Sequence, residues 1–250
     1  MEVMRFLWPF HSICLVLTCG LSVGGSTLFA KAVAAQAVEV DEGTFTIEIA
    51  GSAVGTEAFR IRRSGFGDNT RTIAQGTLDI VQDGSMQTIQ SLLGTVGGGM
   101  FLDAYQVKVA PPSELSIRLE RRGNRMVSET SSKSGVEERE YRRSLPQTPT
   151  VVLDRFFAHH YFFLGPYQAP SEINLSAILP RPGGQSNGTL RMAEVEPVVI
   201  GNNTSIQAQR LELRIDGVVH DVWLDGQNRV LRVEIPSLDY VAIRRDPPGG

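Results

Sequence analysis

The histidines beyond residue 37 are His159, His160 and His220, and their spacing argues against most of the chemistry they could do. His159 and His160 are adjacent, so on a helix they point about 100° apart and cannot easily face one ion. Helical zinc sites return to one face, as in H-x-x-x-H. No metal site is predicted, and His160 reads as a structural residue hydrogen-bonded to a neighbouring strand. Asp154, one of these imidazoles and a serine would suit acyl transfer, but no G-x-S-x-G elbow presents a nucleophile. Asp154 instead occupies the position of a helix cap. Asp79, Asp83, Asp221 and Asp225 are no better as an acid and base pair, because Asp83 and Asp225 precede glycines in turns that favour Asp-Gly. The residues predict no catalytic group, no cofactor and no enzyme.

The same region offers apolar surface. In the run VVLDRFFAHHYFFLG, residues 151–165, Asp154 caps, Gly165 terminates and Pro166 forbids continuation, which predicts one short helix over about 154–164. Phe156, Phe157, Tyr161, Phe162, Phe163 and Leu164 cover nearly its whole circumference, so the helix must be enclosed. Burying the large side chains at roughly 1.5–3 kcal/mol each amounts to about 10 kcal/mol. The candidate apolar pocket is Phe156, Phe157, His160, Tyr161, Phe163 and Leu164. Trp223 joins them if it stacks beneath the helix rather than lying at a wet rim.

The elements that must surround this helix are strands. Phe45, Ile47 and Ile49 alternate with Thr44, Thr46 and Glu48, and Phe59 and Ile61 alternate with Arg60 and Arg62. Further one-sided runs follow up to Phe101–Val109, Leu115–Glu120 and Val136–Arg143, and again from Ile173 to Arg244. A dozen or more meandering strands cannot stay flat, because twist accumulates. The expected fold is therefore mainly β: a single large curved antiparallel sheet, half-barrel or open barrel, with the helix in its concave side. A closed up-and-down barrel is the rival, with room for the helix only across its mouth. Arg121, Arg122, Arg125, Arg139, Arg142 and Arg143 are interleaved with glutamates, which predicts cross-strand pairing on a solvated face.

The ends set the compartment. Residues 6–25 are mostly apolar and Ala35-Gln36-Ala37 gives an A-x-A pattern, so 1–37 reads as a secretory signal peptide cleaved near Ala37. Retained, it would be the protein's membrane anchor. Residues 38–245 are expected to form one domain and 246–250 a frayed tail. Both cysteines, Cys14 and Cys19, fall in the leader, which predicts a cysteine-free mature chain. The formal net charge of −3 leaves no positive excess to attract nucleic acid.

The helix run, Leu179-Pro180-Arg181, residues 208–213 and the segment from Val222-Trp223 to Ile235-Pro236 resemble a group of uncharacterised bacterial secreted domains. These are similar in shape to the lipoprotein carriers and receptors of the bacterial envelope. The resemblance implies a half-barrel with a hydrophobic cavity and carries no catalytic motif. The expectation is a periplasmic or secreted non-enzymatic protein that binds or carries a lipid, acyl chain or lipidated peptide. The alternatives are an interaction module with a solid core, engaging another envelope protein, and a hydrolase with an unfamiliar site.

Overall fold

Alternation of apolar and polar residues turns most of the described residues into strands. A computed structural model describes residues 37–82, 84–145 and 147–249. The first arm comprises β1 (Val38–Ile49), β2 (Ser52–Ser64), β3 (Arg71–Gln82), β4 (Ser85–Val96), β5 (Phe101–Val109), β6 (Leu115–Arg122), β7 (Arg125–Ser132) and β8 (Gly135–Arg142). The second comprises β9 (Thr150–Val152), β10 (Ile173–Leu179), β11 (Gly184–Val199), β12 (Ser205–Ile215), β13 (Val218–Leu224), β14 (Val230–Ile235) and β15 (Tyr240–Arg244).

All fifteen belong to one sheet in the order β8-β7-β6-β5-β4-β3-β2-β1-β15-β14-β13-β12-β11-β10-β9. Each arm is a meander, and the arms join where β1 pairs antiparallel with β15, Phe45 opposite Arg244. The β9–β10 pair alone is parallel among these ladders. The predicted curved sheet is what forms. It curls into a near-barrel, and side chains bring its two ends together. Arg139 Nη1 donates to the Gly183 carbonyl at 2.7 Å, and the Gln185 amide both accepts from Arg142 N–H and donates to Arg142 C=O, each at 2.9 Å.

The concave side is filled by one continuous apolar core drawn from both arms and from residues 151–164. The predicted helix is inside, but as a 3₁₀ stretch, Ala158–Tyr167, rather than an α-helix beginning at Asp154. Phe156 has φ of 71° and Phe157 is extended, so the chain cannot coil earlier. Pro166 lies within the stretch and supplies no N–H for an α-helical bond. Gly165 lets it meet the β13–β14 turn: a Cβ there would lie 2.8 Å from Asn228 Cβ.

A smaller apolar cluster forms separately. Beyond the register shift between Met192 and Val195, the distal half of the β11–β12 hairpin contributes Val198, Ile200 and Ala208, which pack against Trp223 and Leu231. The expected leader, apart from Ala37, lies outside the described residues, as do Asp83 and Pro146. The expectation of a cysteine-free mature chain is corrected to what the sequence holds: the 250-residue chain is not cysteine-free but contains Cys14 and Cys19, both outside the described residues.

Candidate functional site

Two buried carboxylates hold the inner segment. Glu57, facing inward from β2, accepts the backbone N–H of Ala158 at 2.6 Å and of His159 at 3.3 Å, and a short hydrogen bond from His159 Nδ1–H. The His159 ring stacks on Phe59, centroids 5.9 Å apart, and fits because position 76 on β3 has no side chain. A Cβ on Gly76 would come within 2.5 Å of His159 Cε1. Asp154 accepts from Tyr105 OH at 2.6 Å, from Arg181 Nε at 2.6 Å and from the Arg155 N–H at 2.8 Å. Its expected role as a helix cap is replaced by this anchoring role.

His160 Nδ1 accepts the Asp154 N–H at 3.1 Å, so the predicted structural role holds, with a partner in its own segment rather than on a strand. Its ring is stacked on Phe157 at 5.1 Å. Burial pushes His160 well below the usual histidine range, and His159 and Arg181 push it the same way. Nε2 of His159, Nε2 of His160 and the Ser91 hydroxyl are buried without hydrogen-bond partners among the described residues. No group of three or more His, Cys, Asp or Glu among those residues is placed to hold a metal ion.

Beside this anchored segment lies a cavity of about 220 Å³, between residues 153–157 and the ends of β10, β12, β13 and β14. Phe156, Phe157, Tyr161, Val218, His220 and Tyr240 are among its walls. Phe156 is held at positive φ, a conformation costing on the order of 1–3 kcal/mol for a bulky residue. Packing maintains it: Arg155 covers the Phe156 ring at 4.6 Å, Tyr240 lies 5.7 Å away, and Tyr240 OH donates to the Phe156 carbonyl at 3.4 Å. His220 reaches in from β13 and meets Tyr161 OH at 2.6 Å through Nδ1. Burial lowers the His220 pKa to about 4 and raises that of Tyr161.

Of the predicted pocket residues, the structure brings Phe156, Phe157 and Tyr161 to the cavity wall. His160, Phe163 and Leu164 are buried in the core behind it. Trp223 stands apart, its indole N–H donating to Glu196 at 2.7 Å within the separate hairpin cluster. Alternation along β13 explains this, since Val218, His220, Val222 and Leu224 take the inner face. His220, Tyr240, Glu57 and Tyr105 were not among the residues predicted for the site. The signal was parity: Glu57 shares a strand face with Phe59 and Ile61. A larger concavity, about 820 Å³, lies elsewhere, along β1–β3. It is a polar, open groove in which Arg60 is already paired with Glu42 at 2.6 Å and Glu39 at 3.1 Å.

No protein-family model matches the chain, and no curated protein matches it. Among solved structures, it is similar to a β-barrel-like protein of the domain of unknown function DUF1849 from Brucella abortus. The identity is 11%, the match covers 82% of this chain and 93% of that one, and the TM-score is 0.45.

Proposed function

We propose that this protein is a non-enzymatic binder of one apolar group, such as an aryl ring or a short stretch of acyl chain, held in the cavity beside the inner segment. The observation that carries the reading is the cavity itself, about 220 Å³, walled by aromatic and aliphatic side chains. An apolar cavity of roughly 150 Å³ is enough to take benzene, whereas drug-sized ligands occupy about 300–1,000 Å³. A whole lipid is too large for this space; the end of a chain, or of a lipidated peptide, fits its scale. At about 0.8 kcal/mol per buried methylene, eight carbons would supply roughly 6 kcal/mol before ordering costs. The A-x-A pattern and apolar N-terminal run support, within the same proposal, a location outside the cytoplasm.

The test uses ethylbenzene as probe and Val218→Phe, which fills the cavity, as control. At ten times its dissociation constant the probe should add about 1.4 kcal/mol to the unfolding free energy of the native chain and nothing to that of the variant. Organic-solvent extracts of the purified native chain should yield an apolar molecule by mass spectrometry. No stabilisation by ethylbenzene at millimolar concentration, together with an empty extract, would overturn the reading.

A further inference from the structure

The cavity is not purely apolar, and its one imidazole has a defined hydrogen-bonding sense. Tyr161 OH is buried and its recorded hydrogen bond among the described residues is to His220 Nδ1, at 2.6 Å. If Nδ1 carried the proton, the phenol would have to accept, and its own O–H would be a buried donor with no acceptor. The phenol therefore donates and Nδ1 accepts, which places the proton of the neutral ring on Nε2. That N–H is bonded to no described residue, but Nε2 is not among the fully buried polar atoms lacking a partner, so water reaches it, and the ring is part of the cavity wall.

The charged groups that line the cavity are Asp154, Asp216 and Arg155, and Asp154 is already paired with Arg181, outside the lining, at 2.6 Å. An anionic group thus finds no net positive field, while a neutral oxygen finds a donor for which it competes only with water.

From this we infer that the cavity selects a neutral apolar ligand bearing one hydrogen-bond acceptor, such as the carbonyl of an aryl ketone or ester, received by His220 Nε2–H with Tyr161 fixing the tautomer. This rests on the proposed binding function and narrows it to a ligand class. His220 is its specificity-determining residue and Tyr161 the positioning residue behind it.

The probes are ethylbenzene, acetophenone and benzoate, titrated against the native chain, His220→Phe and Tyr161→Phe. Acetophenone should be favoured over ethylbenzene, after correction for their partition from water, by about 2- to 10-fold, the worth of one neutral hydrogen bond. Benzoate should bind more weakly than acetophenone. His220→Phe should bring the acetophenone-to-ethylbenzene ratio to about one, whatever it does to the affinity for either probe, and Tyr161→Phe should reduce the ratio part-way. A ¹⁵N spectrum of the labelled imidazoles should show His220 protonated at Nε2 in the native chain, with that proton moving on addition of acetophenone. If both neutral probes bind but the ratio is the same in His220→Phe, or if the proton is on Nδ1, this inference falls and the binding function stands. If neither probe binds the native chain, this inference falls, and with an empty solvent extract the binding function falls with it.

Discussion

Glu57 shows what a single residue does here. Its buried carboxylate collects two backbone N–H groups and an imidazole N–H from a segment about a hundred positions further along the chain. Removing one partner of such a group leaves the others buried and unsatisfied, so Glu57→Ala should lower the unfolding free energy by about 3–5 kcal/mol. Chemical denaturation measures this, and a loss under about 1 kcal/mol would show that the segment does not depend on the anchor. Asp41 and Arg244 form a comparable pair, with contacts of 2.9 and 2.7 Å in the space Gly43 leaves open. Burial drives the Asp41 carboxyl upward in spite of Arg244, so desolvation offsets much of what this pair contributes where it joins β1 to β15. Both buried acids sit on the apolar parity of their strands, Glu57 with Phe59 and Asp41 with Phe45. Alternation thus marked them as inward. What it could not reveal was the partner, because each pairing joins distant parts of the sequence.

At the scale of elements, the strands were legible and the inner helix only half so. Period-two patterns survive because each strand has one wet face and one dry one, whereas a segment apolar on every side has no period to read. Its burial followed from composition. Its 3₁₀ form and late start did not, since they are imposed by the walls around Phe156 and by Pro166. Two imidazoles tie this element to pH, one on it and one facing it: His160, and His220 across from Tyr161. Both have folded pKa values below the free value of 6.5, His220 at about 4. The unfolded chain binds their protons more readily, so their support is complete above pH 6.5 and drains away as pH falls toward 4. His220 alone should withdraw about 3 kcal/mol by pH 4, with His160 adding to the loss. Urea denaturation between pH 7 and pH 4.5 should show stability falling, and His220→Phe should flatten part of the slope. Constant stability over that range would mean that these rings are reached by water in the native state.

For the whole molecule the question is how a fifteen-stranded ribbon hides its ends. An exposed edge strand invites pairing with other chains, and a closed ladder would remove the edge altogether. This sheet uses an intermediate device. Gln185 offers its side-chain amide to both the N–H and the C=O of Arg142, standing in for a neighbouring strand, while Arg139 and Arg142 reach Gly183 and Asn187 at 2.7 and 3.0 Å. The strand β8 is further blunted by charged side chains, with Glu137 and Glu138 beside Arg139. Such solvent-facing bonds are individually weak, so the seam should be the least stable line in the sheet even though it makes the near-barrel. Hydrogen exchange should find the β8 amides opening well before those of β1–β4, which are buried in continuous ladders. Gln185→Ala should speed exchange at the Arg142 amide while changing global stability by less than about 1 kcal/mol. Exchange at β8 as slow as in β3, or a large global loss in the variant, would mean that the seam is part of the cooperative core and that the sheet behaves as a closed barrel.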